Sequence, residues 1–122
     1  MKLILVIDDE SRIRTMLKVM LERESFRVIT ASDGKEGMKL LAKEPVDLVI
    51  TDLIMPEKEG LEVIQELRKS DSNLPVIAIS GGGKNSPDTY LNMARLLGAD
   101  AIFEKPVKKD KLINAVKKSL NV

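Results

Sequence analysis

Five short strand-like runs alternate with five amphipathic stretches, and this alternation restricts the fold more than any other feature of the chain. The runs are Leu3-Ile4-Leu5-Val6-Ile7, Phe26-Arg27-Val28-Ile29-Thr30, Val46-Asp47-Leu48-Val49-Ile50-Thr51 (ending at Asp52), Pro75-Val76-Ile77-Ala78-Ile79 and Ala99-Asp100-Ala101-Ile102-Phe103. The first is apolar throughout, as expected of a strand covered on both faces. Between the runs lie helical patterns. Ile13, Met16, Leu17, Met20 and Leu21 recur at helical spacing, a second pattern covers 34–42, and Leu61, Ile64 and Leu67 mark a third. Ser86-Pro87 reads as an N-cap followed by proline in the first turn, opening a helix that Gly98 stops. A last helix over 108–120 places Leu112, Val116 and Leu120 on one side. Strands alternating with helices imply right-handed crossovers and a parallel sheet with helices on both faces.

At 122 residues the chain suits one domain over 1–122, and 43% hydrophobic residues suffice for a core. Cysteine and histidine are both absent. Disulfides, thiolate metal sites and Ser-His-Asp hydrolysis are thereby excluded, and any phosphohistidine must belong to a partner. The apolar opening is too short for a signal peptide, no segment is long enough to span a bilayer, and a cytoplasmic location is expected. A net charge of +1 gives no global attraction to nucleic acid or membrane. The lysine-rich end (Lys105, Lys108, Lys109, Lys111, Lys117, Lys118) reads most simply as a solvated face, with a docking surface as the functional alternative. The six methionines fall mostly at core-type helical positions.

In an open parallel sheet, ligands bind beyond the carboxyl ends of the strands, where the strand order switches. Those ends carry Asp8-Asp9-Glu10, then Asp52, then Ser80-Gly81, then Glu104-Lys105-Pro106. Singly, each residue has a plain structural reading: Asp9 or Ser11 can open a helix, Ser80 can end a strand, and Lys105 can be a surface charge. Together they need compensation. Two like charges ~4 Å apart repel by about 4 kcal/mol at an effective dielectric of 20. Lys105 supplies one positive charge, and a hard divalent cation such as Mg2+ is the natural second. A carboxylate can attack phosphorus to form an acyl phosphate, while an ammonium and a hydroxyl hold the phosphoryl oxygens. Asp52, ending a central strand, is the candidate nucleophile, with Asp8 and Asp9 on the metal side.

These pieces, with Leu53-Ile54-Met55-Pro56, Gly60-Leu61 and Leu97-Gly98-Ala99, occur in an order that resembles the receiver domains of bacterial two-component response regulators of the chemotaxis type. The resemblance implies a flavodoxin-like three-layer sandwich, a doubly wound five-stranded parallel sheet of order 2-1-3-4-5 with five helices. It implies that Asp52 is the phosphoacceptor and that Asp9, Asp52 and the main-chain carbonyl of Ile54 bind Mg2+, with Asp8 acting through water. Lys105 would contact the phosphoryl group, and Pro106 would follow a cis peptide. Ser80 and Phe103 would form the switch, remodelling the surface of the fourth helix, fifth strand and fifth helix. Partners implied are a sensor histidine kinase or phosphotransfer protein and a downstream output protein or domain. No direct nucleic-acid contact and no membrane insertion are expected of a monomer or phosphorylation-dependent dimer. Ser80 stands where many members have threonine, so the hydroxyl is kept.

Other readings are weaker. Gly81-Gly82-Gly83-Lys84 lacks the Walker pattern, since Ala78 and Asn85 stand where glycine and Ser or Thr are required. An aspartyl-phosphate phosphatase would need a second acid at the place of Ile54, which cannot donate a proton. A phosphorylation-independent scaffold would have no use for the whole Asp8, Asp9, Asp52, Ser80 and Lys105 set. The chain is therefore expected to be a switch and not a turnover enzyme. Tyr90, on the fourth helix, is expected to pack on the sheet, with exposure on a partner surface as the alternative.

Overall fold

The computed structural model describes residues 1–53, 60–70, 73–81 and 87–122, with backbone alone for Gly60 and 87–91. Ile54, Met55, Pro56, Gly82, Gly83 and Ser86, and the packing of the Tyr90 side chain, lie outside what is described. In chain order the elements are β1 (Leu3–Ile7), α1 (Ser11–Glu22), β2 (Arg27–Ala31), α2 (Gly34–Lys43), β3 (Leu48–Asp52), α3 (Gly60–Ser70), β4 (Val76–Ser80), α4 (Pro87–Leu96), β5 (Ala101–Glu104) and α5 (Lys109–Leu120). All strand pairs are parallel, in the order β2-β1-β3-β4-β5. Strands two to five begin one or two residues later than the sequence suggests, because the residues ahead of them carry the turns.

Strand side chains alternate between faces, and each face meets its own helices. Ile4, Val6, Leu48, Ile50, Ile77 and Ile79 pack with Leu17, Leu21, Leu112 and Val116 of α1 and α5. Leu5, Ile7, Val49, Val76 and Ala78 pack with Val63, Ile64, Leu67 and Ala94 of α3 and α4. Covering both faces explains why β1, β3 and β4 are buried at every position. Each fully buried Leu or Ile contributes about 1.5–3 kcal/mol of transfer free energy. The methionines largely do not join in. Met16 and Met93 are exposed, as is Met1, while Met20 is buried and Met38 packs partly. A helix lying on a sheet buries a narrower stripe than its apolar periodicity spans, so the flanking positions stay in water.

Local chemistry sets the boundaries. Asp33 accepts from the Glu36 N–H at 2.8 Å, and Glu36 returns a bond from the Ser32 N–H, an arrangement that closes the start of α2. Gly98 adopts φ +104° after α4, a conformation glycine alone enters freely. At the opposite edge from the strand carboxyl ends, Asp47 accepts from the Leu3 N–H and Asp100 from the Val76 N–H, both at 2.8 Å. These bonds hold neighbouring strands in register where they begin.

Candidate functional site

Parallel register brings the strand ends together. Ile7 pairs with Thr51, so Asp8 and Asp52, each one residue further on, are neighbours where β1 and β3 meet. Ser80 pairs with Glu104, which places Lys105 one residue beyond it on the edge strand. The Lys105 N–H donates to the Ser80 carbonyl at 3.0 Å, fixing the backbone from which the long side chain turns back over the sheet. The Lys105-Pro106 peptide is cis, as the resemblance implies.

The Lys105 ammonium ends among three carboxylates. It donates hydrogen bonds to Asp52 Oδ2 at 3.1 Å and Glu10 Oε1 at 3.2 Å, and forms an ion pair with Asp8 Oδ2 at 3.1 Å. Asp8 and Asp52 are almost wholly buried, whereas the Glu10 side chain is 60% exposed. Burial opposes the ammonium, but the charges of Asp52 and Asp8 and the bond to Asp52 outweigh it and hold Lys105 above its ordinary lysine pKa. Burial also raises the Asp8 carboxyl, opposed by the Glu10 N–H bond to Asp8 Oδ1 (2.9 Å) and by Lys105. Arg14 donates to the Asp8 carbonyl at 2.7 Å, tying α1 to the end of β1.

Ser80 Oγ is a buried polar atom without a hydrogen bond among the described residues, whereas Asp8 Oδ2 meets only the Lys105 ammonium. Native interiors rarely leave such groups unmatched unless a ligand or a movement uses them. Carboxylate oxygens of Asp8, Asp9 and Glu10 lie within 4.8 Å of one another, close enough to share one metal ion. This oxygen-only set suits a hard divalent cation, and Lys105 occupies its electrostatic role at Asp8 and Asp52. The donors therefore fit Mg2+.

The structure brings together Asp8, Asp52 and Lys105, with Asp9 exposed beside them and Ser80 at the end of the adjacent strand. Phe103 is half-buried and packs on the α1 and α5 face of the core. Ile54, expected to offer its carbonyl, lies outside the described residues. Sequence reasoning did not single out Glu10 as a partner of Lys105. The residue at the start of α1 makes no side-chain cap, and its carboxylate turns to the ammonium instead. The unbroken run of three acids was the available signal.

A family model described as a response regulator receiver domain matches residues 4–117. The chain is 42% identical over 105 residues to the response regulator GtcR of Aneurinibacillus migulanus, covering 86% of this chain and 42% of that protein. It is 36% identical over 117 residues to the transcriptional regulatory protein GlrR of Escherichia coli, covering 96% of this chain and 26% of that protein. The chain thus spans less than half the length of these curated relatives. A response regulator receiver domain protein from Clostridium thermocellum superposes with a TM-score of 0.91 at 33% identity, covering 99% of this chain and 95% of that one. The response regulator TrrA of Thermotoga maritima, solved in complex with Mg2+-BeF, superposes with a TM-score of 0.87 at 36% identity, covering 98% and 100%.

Proposed function

The chain belongs to the response regulator receiver domain family, and on that premise we propose that residues 1–122 act as one phosphorylation-controlled switch with Asp52 as the phosphoacceptor. The observation that carries this reading is the Lys105 ammonium held 3.1 Å from both Asp52 and Asp8, beside a buried Ser80 hydroxyl without a hydrogen-bond partner among the described residues. An Asp52 oxygen attacks the phosphorus of a partner's phosphohistidine. The P–N bond breaks, its electron pair stays on the imidazole nitrogen, which takes a proton from solvent, and an acyl phosphate forms on Asp52. Lys105, already seated at the nucleophile, holds a phosphoryl oxygen as negative charge moves onto it. Ser80 Oγ donates to another and so gains the bond it lacks.

Asp9, Asp52 and the Ile54 carbonyl would hold Mg2+, with Asp8 acting through water. When bound, the cation offsets charge on the phosphoryl oxygens and the nucleophile. The partner is a sensor histidine kinase or phosphotransfer protein, consistent with a chain that has no histidine. Drawing Ser80 toward the phosphoryl group frees space that Phe103 enters, and the α4-β5-α5 surface changes for a downstream protein or domain. The switch works in the cytoplasm, as a monomer or a phosphorylation-dependent dimer, without touching nucleic acid itself. Among the described residues, no helix is long and apolar enough to cross a membrane. The role is signalling and not substrate turnover.

Acetyl phosphate with Mg2+ is the direct test. Intact-protein mass should rise by one phosphoryl group, and the gain should vanish in Asp52→Asn. An unchanged mass for the unsubstituted chain would remove the reading.

A further inference from the structure

Lys105 has three partners among the described residues, and they are not equivalent. Asp8 and Asp52 are buried, and the proposed function assigns both to the metal and phosphoryl chemistry. Glu10 lies on the solvent side and is 60% exposed, yet it accepts from the ammonium at 3.2 Å, nearly as close as the buried pair. The stem that carries the ammonium has little freedom. A Cβ placed on Gly81 would fall 2.5 Å from Lys105 Cβ and 2.6 Å from Cδ, so the stem runs directly over the Gly81 backbone. An ammonium on a stem pressed in this way swings at its end more easily than it withdraws.

We infer that Glu10 is a positioning residue for Lys105: its carboxylate receives the ammonium on the solvent side when a divalent cation takes over Asp8 and Asp52, and so keeps Lys105 next to the nucleophile while freeing the buried pair. This inference rests on the proposed phosphoacceptor site. In the absence of metal, Lys105 compensates the buried carboxylates, which is useful for stability and competes with a cation for the same oxygens. A divalent ion entering there repels the ammonium. Without Glu10 the displaced charge has no carboxylate to meet on its outer side among its described partners, and it remains a competitor for the buried pair. With Glu10 it moves outward and stays bonded. Glu10 can take this part because it makes no cap to α1, so its carboxylate is not required by the helix. For the same reason Glu10→Gln removes the charge without removing packing or a cap.

A double-mutant cycle read by calorimetric titration with Mg2+ alone tests the inference. Glu10→Gln should weaken Mg2+ binding by about three- to tenfold when Lys105 is present, and by less than about twofold once Lys105→Met is already in place. An equal loss in both backgrounds would mean that Glu10 acts on the cation directly, and no loss in either would mean that the ammonium needs no outer anchor. Each result overturns the inference. As a second readout, the Lys105 Nζ proton signal should stay protected from exchange at saturating Mg2+ in the unsubstituted chain and lose protection in Glu10→Gln. Retained protection in the variant also overturns it. Thermal melts confirm that the variants are folded. Acetyl phosphate labelling of the unsubstituted chain, run alongside, separates the two readings. Absent labelling removes the phosphoacceptor role, whereas normal labelling with an additive cycle removes the role of Glu10 alone.

Discussion

Gly81 and Lys105 are in backbone-to-stem contact: an added Cβ at Gly81 would approach Lys105 Cβ to 2.5 Å, closer than van der Waals contact permits. The strand end therefore needs a residue without a side chain if the ammonium is to reach Asp52 and Asp8 from β5.

Gly81→Ala should displace the Lys105 stem and lengthen its bond to Asp52. Labelling of Asp52 by acetyl phosphate is expected to slow by about threefold or more, since small misplacements of a positioned group are costly. The melting midpoint should fall as well, because a displaced ammonium compensates the buried Asp8 and Asp52 less well. An unchanged labelling rate, with the Lys105 Nζ signal unmoved, would mean that the stem adapts.

Asp8→Asn should raise the stability of the metal-free protein at neutral pH. Burial lifts the folded-state pKa of Asp8 above the ordinary carboxylate value, even with Lys105 beside it. A raised folded pKa gives stability that is fully present below the unfolded pKa and lost as pH rises through the folded one. At pH 7 the ionised group is thus a net cost. The variant should therefore melt higher at pH 7. The gap should close as pH falls below the ordinary carboxylate range. Saturating Mg2+ should stabilise the unsubstituted chain more than the variant. A variant that melts lower at pH 7 without Mg2+ would mean that the Lys105 ion pair outweighs the burial cost of Asp8.

Ser80→Ala separates stability from response. The hydroxyl is fully buried and makes no hydrogen bond among the described residues. Its removal should be neutral or stabilise the unmodified fold by up to about 1 kcal/mol, read by urea unfolding. The same change should slow Asp52 labelling, since a phosphoryl oxygen loses a donor, and shrink the chemical-shift response of Phe103 to phosphorylation. A clear loss of stability would point to a hydrogen bond in the unmodified state.

Arg68→Met should cost about 2–4 kcal/mol, the range for breaking a charged, partly buried hydrogen-bond network. The guanidinium donates to the Leu74 carbonyl at 2.6 Å, to the Gly98 carbonyl at 2.6 and 3.2 Å, and meets Asp100 at 3.2 Å. It ties α3 to the approach to β4 and to the turn between α4 and β5. Amide exchange should accelerate first at Gly98 and Ala99, ahead of β1 and β3. A uniform change across the sheet would show that the clamp is not local.

Most of the architecture was readable because a strand covered on both faces must be apolar at nearly every position, and few other structures ask for that. Helix positions were readable too, but not the width of the stripe each helix buries. Met16 and Met93 obey the periodicity and still face solvent. The acidic run at 8–10 was legible as a cluster, yet its members diverge: Asp8 is buried, Asp9 is exposed, and Glu10 turns to Lys105. Side-chain direction at a strand-to-helix junction depends on which partner is near, and that partner is 95 positions away in sequence.

The order of apolar runs, the absence of histidine and cysteine, and the residue types at the strand ends were determined by the sequence alone, because hydrophobic burial and reactive-group inventory need no coordinates. Tertiary structure decided which carboxylates share the ammonium, which hydroxyl is buried without a bond, and that Gly81 must leave room for a lysine stem. Those outcomes depend on distances between segments remote in the chain, which parallel register and packing against both helix layers impose together.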